Sequence, residues 1–500
     1  MGTSTKIVVT NYSALKNKGY QDPDVDAVKA ALAKLVQADQ DRGITTTVVD
    51  LSDKNDMARY QAPVVTSATD EKQNKDAIDA VFRYAEPDYL MLLGSFDVIP
   101  HQTLKDPTGD DPSIPSDLPY ACETTYDEGQ QDPVNFTSPS RVVGRLPDVT
   151  GKHQPDYLVS LVKYSAAATP APRDTYQAYF ALSAAVWEKS TQENLTTIFN
   201  DASALHLVPP DGSPWSASAL APKSHFANCH GAPKDPHWYG QGASGYPVAL
   251  SADDVDHPLT TGTVVASEAC YGAQLYQPDA QTRAGMGNTY LHSGAVLFFG
   301  STVIAYGPAD SCDQADLITQ YVYRETLNGQ SSGYATLKAR LDYVKNKTDL
   351  LPQDLKTIAE FTLLGDPSVK PVLPSALAAE VDPPAAVAER RREARLAAHV
   401  LEQSISVPKP VSNSELSSEL EARLREIAQR HDLPPSFSIR SFASVWKGED
   451  HAAPKDFGQP PRVHLLQAVR DPGAPVPTNV IITVREQAGT IVSVDEIEAR

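Results

Sequence analysis

Two short stretches put reactive side chains at the ends of apolar runs. Residues 224–231 read SHFANCHG, an apolar strand whose end presents His230 and then Gly231. Residues 263–272 read TVVASEACYG, a second apolar strand whose end presents Cys270 two residues before Gly272. A thiolate is a nucleophile, and a nearby imidazole can take its proton or hand one to a leaving group. The glycines permit turns whose backbone N–H groups face an attacked carbonyl oxygen. The N–H groups of Gly231 and Cys270 are the candidate oxyanion pair. In an open α/β sheet, reactive groups gather beyond the carboxyl ends of the strands. The 40 residues between His230 and Cys270 suffice for one crossover and a loop between adjacent parallel strands. The spacing therefore predicts that both reach the same edge. Taken singly, a strand-end His is ordinarily a loop residue and an apolar-flanked Cys ordinarily core. The conjunction, each after a strand and each with a following Gly, points to a Cys–His pair.

Other residues invite weaker readings. Trp238 and Tyr239 follow the His-Gly turn and are candidates to wall a substrate pocket, with loop packing the equal alternative. Tyr306, after the apolar run Ala295–Phe299, is a similar case. Cys229 neighbours His230 and on a strand points to the opposite face, so it reads as core. Cys122 and Cys312 carry no partner signal. His225 and His237 bracket His230 at a spacing unlike a zinc site, so no metal is expected there. The acidic loop Asp106–Asp117 (DPTGDDPSIPSD) offers clustered oxygens for a structural calcium but lacks EF-hand spacing, and a solvated loop is the favoured reading.

Apolar runs alternate with amphipathic helices along most of the chain. Lys6–Thr10, Thr45–Leu51, Tyr89–Leu93 and Arg141–Leu146 read as strands, and Asp24–Val36, Asp76–Tyr84 and Asp156–Ala167 as helices. A second block has strand candidates Ala178–Ala185, Ser224–Cys229, Thr263–Ser267 and Ala295–Phe299. It closes with FTLLGDPSV at 361–369. Such alternation predicts an α/β fold whose mostly parallel sheets are covered on both faces. A Pro/Ala/Arg-rich stretch follows, with a helical tract inside. After it come a helix striped by Leu416, Leu420, Leu424 and Ile427 and four strand candidates, a small α+β unit. The expected divisions are 1–170, an N-terminal α/β subdomain; 171–374, a subdomain carrying His230 and Cys270; 375–413, a linker; and 414–500, the C-terminal domain.

In this order the pieces resemble the gingipain-type cysteine peptidases of family C25, within the caspase-like group that includes clostripain, separase and CHAT proteases. YLMLLGSFDVIP at 89–100, SDLPY at 116–120, VGRLP at 143–147, the His-Gly and Ala-Cys-x-Gly pair, and LLGDPS at 363–368 carry the resemblance across residues 5–373. Against the caspase signature, Glu268 and Tyr271 replace the expected residues. The resemblance implies a caspase-like three-layer fold in two subdomains. It implies peptide hydrolysis by Cys270 and His230 with no obligatory cofactor. It also makes Asp117 the first candidate to orient His230, with Glu268 next.

Composition narrows the rest. With 43 basic and 63 acidic residues in 500, the net charge is −20, which disfavours a phosphate-tracking nucleic-acid binder. Most of the acidic excess falls before residue 376. A lean to basic P1 residues follows from this charge and from the related enzymes. No signal peptide or apolar span is legible, so a cytoplasmic protein with reduced thiols is expected, with no membrane partner. No G-x-S-x-G elbow or P-loop occurs. The expectation is thus a cysteine endopeptidase acting on protein or peptide, with a C-terminal module that regulates it or binds a regulatory protein. The alternative is an inactive caspase-like scaffold that binds peptide or protein. The tract ERRREAR at 389–395 is a candidate self-cleavage site beside the bland reading of an exposed helix.

Overall fold

The structure is a computed structural model that describes residues 4–127, 131–243, 245–279, 283–347, 349–374, 385–447, 461–474 and 476–500. One ten-stranded sheet runs through both α/β blocks. From edge to edge its strands are Ile44–Asp50, Ser4–Thr10, Tyr89–Leu93, Val143–Leu146, Phe361–Leu364, Ala295–Ser301, Thr263–Ser267, Ser224–Asn228, Tyr179–Ala184 and Leu205–Val208. Every pairing is parallel except that of Ala295–Ser301 with Phe361–Leu364. The two blocks expected as separate subdomains therefore share a continuous sheet, joined where Leu364 pairs with Arg145. Successive strand residues feed opposite cores, as a two-residue period requires. Val264 and Ala266 join Phe226, Leu297 and Phe299 on one face, whereas Val265 joins Ala227 and Phe298 on the other.

The closing segment 363–368 anchors the sheet's middle. Gly365, at φ +145°, leaves its strand where a Cβ would lie 2.7 Å from the Val296 carbonyl oxygen. Asp366 then reaches the buried ammonium of Lys6 on the strand Ser4–Thr10, 2.9 Å away, and Ser368 Oγ accepts from the same group at 3.0 Å. Asp39, on the helix Asp22–Asp41, holds Lys6 from the other side at 2.5 Å.

The C-terminal unit begins earlier than expected. Ser406–Val411, read in sequence as linker, is an edge strand of its sheet. The sheet order is Tyr306–Gly307, Thr490–Ala499, Thr478–Gln487, Arg462–Arg470, Ser438–Trp446 and Ser406–Val411, all antiparallel. The first of these strands belongs to the second α/β block, so the small sheet is built across the two units. One face packs Leu466, Val480, Ile482 and Val484 on the helix Ser418–Arg430 through Leu420, Leu424 and Ile427. The other face, with Leu465, Ile481, Ile497 and Ala499, lies over Cys270 and Tyr306.

The expected cleavage tract 389–395 has helical backbone within Ala385–Ser404. That helix docks through Ala394, beside Tyr89, Val142 and Leu337, and through Leu401. Residues 375–384 and the side chains of Glu389, Arg390 and Arg391 lie outside the described residues.

Lys6 bridges Asp39 and Asp366, and Arg42 Nη1 reaches Asp39 at 3.4 Å, so removing Lys6 takes the bridging cation from two buried carboxylates. Lys6→Met is expected to lower folding stability by roughly 3–5 kcal/mol, read as a fall in the denaturant midpoint by far-UV circular dichroism.

Candidate active site

Four neighbouring strands end at one edge, and each end contributes to one cleft. After Tyr179–Ala184 a short 3-10 turn presents Trp187. After Ser224–Asn228 come Cys229, His230 and Gly231. After Thr263–Ser267 come Glu268 and Cys270, and after Ala295–Ser301 the chain runs to Ala305, Tyr306 and Gly307. Ser224–Asn228 and Thr263–Ser267 are adjacent and parallel, with Ala227 opposite Ser267. His230 and Cys270 are thereby placed at the same edge. A Cβ on Gly231 would collide with the Cys270 carbonyl oxygen, so only glycine allows the two strand ends to approach this closely.

The backbone N–H groups of Gly231 and Cys270 donate to a single oxygen, at 3.3 and 3.0 Å. That oxygen is the carbonyl of Arg500. Arg500 N–H in turn donates to the Ala305 carbonyl at 2.9 Å. The two residues before it continue the pairing, Ala499 opposite Tyr306 and Glu498 opposite Gly307. An extended segment of the chain thus lies along the cleft.

The Arg500 side chain is fully buried. Its Nη2 donates to Asp316 Oδ2 at 2.8 Å and to the Pro308 carbonyl at 2.7 Å, and its Nε lies 4.0 Å from Glu268 Oε2. The guanidinium stacks over the Trp187 ring, 4.4 Å from its centroid. Burial raises both acids, and Asp316 next door pushes Glu268 further, well above the usual carboxylate range. Glu268 is the more strongly shifted of the two, and Asp316 is the acid that contacts the guanidinium. Asn194 and Thr319 donate to Glu268 Oε1 at 2.9 and 3.3 Å. The pocket's depth depends on Gly307, where a Cβ would fall 2.5 Å from Arg500 Nη2 and also against Asp316.

His230 packs on Trp187 with ring centroids 4.3 Å apart, and its Nε2 meets Gln241 Oε1 at 2.7 Å. Burial lowers its pKa to about 4, with the Arg500 charge adding to the shift and Gln241 opposing it, so the ring is neutral near pH 7. Cys270 is also buried, and burial pushes its thiol well above the ordinary range. Its Sγ contacts the Ala305 main chain, 3.3 Å from N and 3.5 Å from O. Among the described residues no hydrogen bond joins it to His230.

Two expected site residues lie elsewhere. Asp117 does not meet His230. Its carboxylate takes two bonds from Arg145, at 2.8 and 2.5 Å, and faces His101 Nδ1 at 3.0 Å. Burial would raise it, but the Arg145 guanidinium overrides this and holds it well below the usual range. The side chain that hydrogen-bonds the imidazole is Gln241. Trp238 is core rather than pocket wall, stacked near Tyr290 and Phe298. The aromatic wall is Trp187. Tyr306 serves through its backbone, and Glu268 sits in the arginine pocket rather than behind His230. Cys229 is buried as expected, and His225 is buried against Tyr290 and the Pro222 carbonyl.

Two carboxylates of the acidic loop turn inward to a lysine. Lys356 Nζ lies 3.0 Å from Asp106 and 2.6 Å from Asp111, all three buried. From there Asp111 accepts from Tyr271 OH at 2.8 Å and Asp110 from Tyr306 OH at 2.6 Å. The loop thus braces the residue after Cys270 and the strand that lines the cleft. No His, Cys, Asp or Glu cluster able to hold a metal occurs among the described residues.

Sequence reasoning missed Arg500, Trp187, Asp316, Gly307 and Gln241. Trp187 had a usable signal, since it follows the end of a strand already identified beside the two carrying His230 and Cys270.

Residues 238–372 match the model of Peptidase family C25. No curated protein matches the chain. Among solved structures, one described as a protease is 11% identical, with TM-score 0.48, covering 99% of this chain and 97% of that one. A Saccharomyces cerevisiae separase–securin complex is 12% identical, with TM-score 0.31, covering 58% of this chain and 17% of that one. The family match lies on a mostly parallel α/β sheet that carries a thiol and an imidazole at adjacent strand ends, and it supports a cysteine peptidase.

If Asp117 serves Arg145 and not His230, Asp117→Ala strands a buried guanidinium and is expected to cost roughly 3–5 kcal/mol of stability. Thermal and denaturant unfolding would read that loss. Active-site titration of the folded fraction should show turnover per site within about twofold of the parent, since no polar contact to His230 is removed.

Proposed function

We propose that this cysteine peptidase of the C25 type cuts the peptide bond after arginine, with Cys270 as nucleophile and His230 as the group that moves the proton. The observation that carries the reading is Arg500. Its guanidinium fills a buried pocket against Asp316 while its carbonyl oxygen meets the N–H groups of Gly231 and Cys270. A substrate arginine seated the same way presents its carbonyl carbon beside Cys270. The thiol loses its proton to His230, and sulfur adds to that carbon. The oxygen charge that develops faces the two N–H groups, and His230 then protonates the departing amine. Water cleaves the thioester, releases the new carboxyl end and restores the thiol.

Selectivity for arginine follows from the pocket's chemistry. Asp316 supplies one negative charge in a site shut from water, Trp187 a flat face for the planar cation, and Pro308 a carbonyl acceptor. Lysine reaches Asp316 as a point charge but cannot stack with a planar group, so arginine is preferred within the basic class.

The inactive-scaffold alternative has one observation on its side, that Sγ bonds to Ala305 and not to the imidazole. A peptide-library digest separates the two readings. The chain is expected to cleave after Arg, and Cys270→Ala and His230→Ala to lose this alike, because the pair acts as a unit. Turnover undiminished in Cys270→Ala refutes the assignment, and a P1 preference for Asp or apolar residues refutes the pocket.

Two pocket variants sharpen the test. Asp316→Asn removes the charge partner of a buried guanidinium and is expected to lower kcat/KM for arginyl peptides by at least ~30-fold. Gly307→Ala intrudes on the arginine side chain and is expected to reduce arginyl turnover more than turnover of peptides with a small P1 residue.

A further inference from the structure

The strand Thr490–Ala499 is the outermost strand that the C-terminal unit gives to the small antiparallel sheet, next to Tyr306–Gly307, and its last residues are also part of the extended segment in the cleft. Three sets of contacts coincide there. The backbone of 498–500 pairs with Ala305–Gly307 as an added strand, the usual way an enzyme cleft holds an extended peptide. The Arg500 side chain occupies the arginine pocket and its carbonyl oxygen the two converging N–H groups. Glu498 is fixed by Arg470 Nη1 at 2.6 Å and by Trp187 Nε1 at 3.4 Å. Behind this segment the sheet face of Leu465, Ile481 and Ile497 covers Cys270. A peptide cannot pair with Tyr306–Gly307, fill the pocket or reach the sulfur while these contacts stand.

We propose that residues 498–500 are a tethered occupant of this chain's own substrate cleft, which keeps the peptidase latent until the strand Thr490–Ala499 is displaced. The proposal rests on the peptidase reading and adds its regulation. A segment held on the same chain competes at an effective concentration in the millimolar range, far above that of a dilute peptide substrate. The occupant has the sequence Glu-Ala-Arg, a ligand of the class the pocket selects. Its attachment to the whole C-terminal sheet makes latency depend on docking of that sheet. Activation therefore requires something that competes with the sheet edge or pulls the module away.

The test uses the full chain, wild type beside Arg500→Ala, with thermal unfolding to confirm that both are folded. The first readout is alkylation of Cys270 by iodoacetamide, mapped by mass spectrometry with buried Cys122 and Cys229 as internal references. The second is hydrolysis of an arginyl peptide. Arg500→Ala is expected to raise both the alkylation rate and kcat/KM by roughly tenfold or more. A synthetic peptide of residues 490–500 added in trans should reverse the gain, and the same peptide ending in Ala should not. Equal alkylation and equal turnover in the two chains overturn the latency. Faster alkylation of Cys270 in Arg500→Ala, with no arginyl peptide cut by either chain, supports the occupied cleft and overturns the peptidase reading instead.

Discussion

Two parallel strands, Ser224–Asn228 and Thr263–Ser267, end so close together that Gly231 has no room for a Cβ against the Cys270 carbonyl oxygen. The cleft depends on that approach. It turns two backbone N–H groups from separate strands toward one point, where they share the Arg500 oxygen. It also fixes how far the imidazole of His230 and the sulfur of Cys270 can stand from that point. Tyr271, in the left-handed region at φ +57°, completes the turn and hands the chain to Val303 through a backbone bond of 2.9 Å. A side chain at Gly231 would part the strand ends and lose the convergence, whatever the other residues did.

The surroundings hold this geometry with charge. Lys356 gathers Asp106 and Asp111, and the loop so held reaches Tyr271 and Tyr306 by hydrogen bonds. Arg145 and Asp117 do similar work on the neighbouring loop, with Arg145 Nη1 also bonding the Gly94 and Ile99 carbonyls, both at 2.8 Å. Each of these buried pairs is met by several partners, which is the condition under which burial of an ion pair is tolerated. In the arginine pocket the same rule works differently. Glu268 and Asp316 stand together in burial that raises both, and it is Asp316 that meets the guanidinium.

The C-terminal sheet joins two roles through the period of its strands. Ile482 and Leu466 face its own helix, while Ile481 and Leu465 face the catalytic block. A module whose two faces are both apolar has to be docked, and docking lays its edge strand along Tyr306–Gly307. Docking of the module and occupation of the cleft are therefore coupled.

Much of this was legible in the sequence because it is local. Alternating apolar runs and amphipathic helices announced the α/β fold, and two apolar runs ending in His-Gly and Cys-x-Gly placed a thiol and an imidazole at one edge, since parallel strands align their carboxyl ends. What only the tertiary structure decided is long-range pairing. Asp117 lies 28 residues from Arg145 in sequence and is taken by it, which leaves Gln241 to meet His230. Trp187 and Trp238 look alike in sequence, yet only Trp187 faces the cleft, because the order of strands in the sheet puts Tyr179–Ala184 beside Ser224–Asn228. The acidic loop reads as solvated until a lysine 245 residues away enters it. Arg500 carries no local sign of its role at all. Its place follows from the edge strand Thr490–Ala499 meeting Tyr306–Gly307, a contact between segments far apart in sequence that neither periodicity nor composition encodes.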